Sequence, residues 1–278
     1  MEFWKKLLQI LNAKMGTPKQ FGLFHWCSIF ILILTIIFLY KFRKHLSPQR
    51  VRKIILYTSI LLLISEVYIQ VHHSFSIVEN NIKFEYQWFF FPWQFCSTPM
   101  YIGVLSAIIK KGKFQDALYA FLATYSVAAG TIVMVYPTAV FTDTIGLNIG
   151  TMFGHGSMVA MGACLFASGI VKPEPKTLLK ALPVFATVFS VALILNEASL
   201  VTGILDKCNF SMFYINRHCV SPVTLCMLIQ ERVPYVVFWI IYIIIFNLAA
   251  YIVLLLAKLL DSFNFKKKSK EEYTVDKN

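Results

Sequence analysis

The sequence predicts an all-α membrane protein: one bundle of seven transmembrane helices, with the N-terminus outside and the C-terminus inside. Three observations predict it. Hydrophobic residues make up 58% of the 278 residues and charged ones only 14%, far from the composition of a soluble domain. Seven apolar runs approach the roughly 20 residues that a helix needs to cross a hydrocarbon core about 30 Å thick. The basic residues between those runs fall unevenly on the two sides.

Residues 1–20 read as an interfacial segment, because Trp4, Leu7, Leu8 and Leu11 fall on one face of a short helix. No apolar core with a small-residue cleavage site follows Lys5 and Lys6, so a cleavable signal peptide is not expected. The apolar runs are Phe21–Tyr40, Ile54–Val71, Phe95–Ile109, Ala117–Tyr136, Ile149–Val171, Ala181–Val201 and Val233–Ala257. The third is short, but its uncharged stretch reaches back to Trp88 and so allows a crossing. Each reads as a helix, since a lone strand in lipid leaves its backbone groups unpaired. Residues 21–257 therefore form one transmembrane domain. Residues 258–278, ending in "FKKKSKEEYTVDKN", read as a basic, disordered cytoplasmic tail.

Orientation follows from lysine and arginine. The connection after the first run holds Lys41, Arg43, Lys44, Arg50, Arg52 and Lys53. With the third and fifth connections and the tail, that side carries 18 of the 26 basic residues, and the other side 8. Basic residues collect on the cytoplasmic side of a cell membrane. The net charge of +12 thus reports topology and contact with anionic lipid heads, and calls for no nucleic acid.

The chemistry gathers at the outer end. Glu66, Gln70 and His73 are spaced i, i+4, i+7 and share one helix face, with His72 beside them. Gln94 and Cys96 open the third run, His155 lies in the fifth, Asn196 and Glu197 close the sixth, and Asn209 follows in the outer loop. The inner halves carry nothing comparable. Ionisable groups within spans are costly and usually face a cavity. The structural alternatives are an interfacial role for His25, His72 and His73, and glycine-rich packing around His155 through Gly150, Gly154 and Gly162. Cys27 and Cys164 read as small core fillers. Cys208 and Cys219 are close enough in the outer loop for a disulfide.

Cys96 stands apart. In "FCSTPM", Thr98 can cap a helix whose first residue is Pro99, and free amides at such a start favour a thiolate. If the helix instead starts at Pro92, Pro99 kinks it beside the cysteine. A nucleophilic thiol needs a base, and His155 is the candidate.

The cysteine in "PWQFCSTPMY", the histidine in "FGHGSM" and the run "NFSMFYINRHCVSP" resemble the YwaF-type bacterial integral membrane proteins. Their eukaryotic relatives are the transmembrane protein 164 acyltransferases, and the androgen-induced hydrolases are more distant. The resemblance implies a phospholipid-remodelling acyltransferase that moves an acyl chain through a thioester on Cys96, with His155 handling the proton. Phospholipid or lysophospholipid would be the substrate, with no cofactor and no metal. Gln94 stands where bacterial relatives often carry histidine. An oxyanion site could come from Gln94, Asn196 or amides near Cys96. Two other classes stay open. A metal-dependent membrane hydrolase would use His72, His73, His155, Cys96 or Glu197, though no H-E-x-x-H pattern is present. A transporter or receptor would line a path with Glu66 and Glu197, though no polar trail continues inward.

Overall fold

The computed structural model describes residues 2–202, 209–221 and 223–275, and nearly all of its elements are helices. Among the described residues six helical stretches are long and apolar enough to cross a membrane. They are α2 (Leu23–Lys41), α3 (Pro48–Ser74), the fused pair α5 (Lys113–Phe121) and α6 (Val127–Val135), α7 (Ile145–Ala167), α8 (Pro175–Val201), and α10 (Tyr235–Val275). A π-helical stretch, Leu122–Ser126, joins α5 to α6 without a break.

α2 is apolar all round and exposes Phe30, Ile31 and Leu34, as befits a helix whose neighbours are lipid tails. The α5–α6 rod is the opposite: most of it is enclosed by α7, α8, α10 and α4. An aromatic core forms around it. Tyr125 stacks on Phe185 with ring centres 4.5 Å apart, and Phe95 meets Phe121, Phe185, Phe213 and Phe246. The Tyr125 hydroxyl donates to Asn247 Oδ1 at 2.7 Å, so its polar end is satisfied within the packing.

The third apolar run forms a shorter helix than the sequence predicts, α4 (Thr98–Ile108). Pro99 supplies the physical reason. It has no N–H to give the Phe95 carbonyl, so the helix does not extend backwards. The Thr98 hydroxyl donates to that carbonyl instead, at 2.9 Å. Thr98 is therefore the first helical residue and not the cap, and the cap position falls to Ser97. Both ends of this run are tied to α3. Gln70 Nε2 donates to the Phe90 carbonyl at 2.6 Å, and the Arg52 guanidinium donates to the carbonyls of Ala107 and Ile108. Gln70 and Arg52 are separated by about 27 Å of helix at 1.5 Å per residue. α3 and α4 touch closely where Gly103 faces Ser59, with no room for a Cβ.

α3 runs directly into a β-hairpin that the sequence reading did not anticipate. β1 (Phe75–Val78) and β2 (Asn81–Phe84) pair antiparallel, with Phe75 opposite Phe84. Glu79 and Asn80 both have positive φ, 48° and 62°, as a two-residue turn matching the strand twist requires. Near the N-terminus the chain forms a helix, α1 (Glu2–Leu11), which docks on this hairpin. Lys5 Nζ donates to Asn80 Oδ1 at 2.9 Å, and the Tyr68 hydroxyl donates to the Leu11 carbonyl. Leu8 turns inward, whereas Phe3 and Trp4 stay exposed. The chain after α1 pairs with the start of α7 through Met15 N–H to the Asp143 carbonyl and a Lys14–Asp143 ion pair of 2.8 Å.

At the other end of the chain α10 continues as helix to Val275, through the lysine-rich stretch expected to be disordered. No glycine or proline interrupts it between Tyr235 and Val275. α9 (Thr224–Gln230) is a short helix before α10.

Candidate active site

Ser97, at the cap position of α4, makes no capping bond; its hydroxyl instead donates across to Glu66 Oε2 of α3 at 3.5 Å. The other carboxylate oxygen, Oε1, accepts from Gln70 Nε2 at 2.7 Å. Gln70 in turn holds the Phe90 carbonyl, and the His73 ring stacks on Phe90 with centres 3.5 Å apart. The shared face read from the i, i+4, i+7 spacing is thus real: Glu66, Gln70 and His73 all grip the chain that leads to Cys96. Glu66 makes no ion pair among the described residues. Cys96 is an exposed residue at this end, its sulfur is the more enclosed part of it, and the Ser97 hydroxyl and the Glu66 carboxylate both lie close enough to act on that sulfur.

Beside this cluster lies a groove of about 450 Å³. Leu63, Val67 and Val71 of α3, Phe75 and Phe84 of the hairpin, and Tyr101 of α4 give it an apolar lining, with Glu66 and Gln70 in its wall. It opens beside the exposed Val67. Tyr86, also in the lining, has its phenol pushed above the ordinary value, first by burial and then by the Glu66 carboxylate. A smaller cavity of about 220 Å³ lies at the opposite end of the bundle, among Asp116, Lys172, Glu174 and Lys180.

Gln94 and Asn196 do not face a reacting group. Gln94 Oε1 accepts from Phe213 N–H and its Nε2 donates to the Ser211 carbonyl, both at 2.9 Å. Asn196 holds Met212 in the same way, accepting at 2.7 Å and donating at 3.1 Å. The two buried amides form a clamp that satisfies a backbone dipping into the bundle. The clamp is needed because Phe213 and Tyr214 both sit in the left-handed region, φ 57° and 56°. For residues other than glycine this costs about 1–3 kcal/mol each. The Tyr242 hydroxyl adds a bond to the Phe213 carbonyl at 3.2 Å. The Tyr214 phenol is raised well above its ordinary value by burial, with Cys96 as the second cause. The clamped loop therefore lies next to the thiol.

Other candidates lie apart. His155 Nδ1 is hydrogen-bonded to the Thr151 carbonyl at 2.8 Å, which leaves Nε2 as the acceptor when Nδ1 carries the proton. Among the described residues no hydrogen bond joins this ring to Cys96. α7 runs antiparallel to α3, with Gly150 against Ser65 and Met161 against Ser59, so His155 lies deeper than Glu66. It is about 7.5 Å of helix beyond Gly150. Glu197 forms an exposed 2.9 Å ion pair with Arg217, and Asn209 is exposed at the edge of the loop. His72 meets His73 edge to face, and its Nδ1 is buried with no hydrogen-bond partner among the described residues. His25 is structural, accepting from Phe21 N–H at Nδ1 and reaching the Met134 carbonyl at 2.8 Å. Cys164 is fully buried in the core, while Cys27 is exposed. Cys208 lies outside the described residues, and with it the proposed disulfide. Among the described residues no three His, Cys, Asp or Glu side chains converge as a metal site.

Sequence reasoning missed Ser97, Tyr214 and Tyr242. Ser97 had a visible signal, a hydroxyl between a cysteine and a proline-marked helix start, but the capping role was given to Thr98. Comparison with curated proteins and with solved structures finds no match. The model of the TMEM164 family matches residues 20–260, from the start of the first apolar run into the last helix. That span includes the thiol, the Glu66 cluster and the clamped loop, and the chain belongs to the TMEM164 family.

Proposed function

We propose that this protein is a membrane-embedded acyltransferase that remodels phospholipids through a thioester on Cys96. One observation carries the proposal: Cys96 is followed by Ser97, whose hydroxyl donates to the Glu66 carboxylate in the wall of an apolar groove of about 450 Å³. A lipid chain suits such a lining, and an ester carbonyl would then lie near the level of Cys96 and Glu66. The sulfur attacks that carbonyl, the ester C–O bond breaks, and a lysolipid leaves. The hydroxyl of a second lysolipid then takes the acyl group from the thioester. A thiol fits both halves, being a good nucleophile and a good leaving group. Family membership supports the same chemistry. The resemblance names His155 as the handler of the thiol proton, but its ring bonds to the Thr151 carbonyl and, among the described residues, makes no hydrogen bond to Cys96.

The accompanying topology is seven crossings, N-terminus outside, in the cell membrane. Support comes from the third run, which follows α3 from Gln70 to Arg52, a distance close to a hydrocarbon thickness. The distribution of lysine and arginine supports the orientation. The thiol, the groove and the clamped loop would then face the outer leaflet.

The test is intact-protein mass spectrometry after incubation in phospholipid nanodiscs. An acyl adduct on Cys96, lost in Cys96→Ala and retained in Cys27→Ala, is the expected result. Full transfer activity in Cys96→Ala would falsify the thioester mechanism.

A further inference from the structure

The proton that Cys96 must lose has a nearer destination than His155. Ser97 is the next residue; its hydroxyl donates to Glu66 Oε2 at 3.5 Å and is close enough to the Cys96 sulfur to influence it. Glu66 is fixed for this task. Gln70 pins Oε1, and Gln70 is itself pinned to the Phe90 carbonyl, so Oε2 is the oxygen turned toward Ser97. The carboxylate stands in an apolar groove with no cation paired to it among the described residues. A charge in such a place is costly to keep, and an intramembrane carboxylate with no paired cation is by default a candidate for function. Glu197, by contrast, lies exposed against Arg217. His155 lies deeper along α7 and, among the described residues, makes no hydrogen bond to the thiol.

We propose that Glu66 accepts the Cys96 thiol proton through the Ser97 hydroxyl. This rests on the acyl-transfer reading above and supplies its proton path. As sulfur bonds to the ester carbonyl carbon, the S–H proton passes to Ser97 Oγ and the Ser97 proton passes to Glu66 Oε2. When the ester C–O bond breaks, the lysolipid oxygen takes the proton back along the same path. In the second half the acceptor hydroxyl attacks the thioester, its proton goes to Glu66, and the sulfur recovers it on leaving. Thiol, serine and carboxylate all end as they began.

The experiment compares Glu66→Gln, Glu66→Asp and Ser97→Ala with the parent protein in phosphatidylethanolamine–phosphatidylcholine nanodiscs. Two rates are read at neutral pH: acyl-adduct formation on Cys96, and alkylation of Cys96 by a small maleimide. Glu66→Gln should slow adduct formation by about 10²-fold or more, the usual contribution of a positioned base. It should also speed alkylation, because a carboxylate beside a thiol opposes thiolate formation. Glu66→Asp should recover part of the acylation, and Ser97→Ala should slow acylation without speeding alkylation to the same extent. Acylation at the parent rate in Glu66→Gln overturns the proposal. So does a parallel fall in both rates together with lost thermal stability, which is the mark of a structural role. If the parent protein itself never takes an acyl group, the acyl-transfer reading fails; if it does and Glu66→Gln matches it, only the proton path fails.

Discussion

Gly103 and Ser59 meet where α3 and α4 approach most closely, and a methyl group there would overlap the serine hydroxyl. Gly103→Ala should therefore destabilise the protein by roughly 1–3 kcal/mol, the usual effect of overpacking, and lower its thermal midpoint in nanodiscs. Adding Ser59→Ala should restore part of the loss, and an unchanged midpoint in Gly103→Ala would contradict the packing. Charge acts differently at Asp143. Lys14 holds its carboxyl below the ordinary value of 3.8, so the Lys14–Asp143 tie is complete at neutral pH and is lost only as the pH falls below that range. Lys14→Ala should weaken α1 docking at neutral pH, read by hydrogen exchange in α1, and its difference from the parent should shrink as the pH falls below the ordinary carboxylate value. At this scale the sequence was partly legible. Helical spacing was enough to put Glu66, Gln70 and His73 together, since i, i+4 geometry is local. The destination of the Ser97 hydroxyl was not, because it lies on another helix.

Among the elements, the loop around Phe213 depends on side chains that rise from three different helical regions. Gln94→Ala leaves the Phe213 N–H and the Ser211 carbonyl buried without partners. About 1–3 kcal/mol per orphaned group is the expected cost, visible as a lower thermal midpoint and faster protease cleavage near residue 214. Asn196→Ala should behave alike through Met212, and resistance of both variants to cleavage would show that the clamp does not hold the loop. Long apolar runs made the spanning helices legible. The hairpin was not: its strands are four residues each, mostly exposed, and their turn is Glu79–Asn80, without glycine. α4 starts one residue before the Pro99 start that the sequence allowed, with the Thr98 hydroxyl turned back to the Phe95 carbonyl.

For the whole molecule, the topology proposed here predicts opposite signals from reporter fusions at Lys111 and Asp143. Equal signals would separate the Cys96 end of the bundle from the outer leaflet. The clamp has a further consequence for how the protein is made. Gln94 is translated more than a hundred residues before its partner Phe213, and the loop is then gripped by Tyr242 and Trp239 from the last helix. During synthesis the buried Gln94 amide has no backbone to hold, and the two left-handed residues have nothing to enforce them. A chain truncated after Arg232 and released into the membrane should show its 209–221 loop open to protease, and the full chain should not. The site would be finished by the last segment to enter the membrane, so an incompletely translated chain would carry the thiol without the surroundings that direct it.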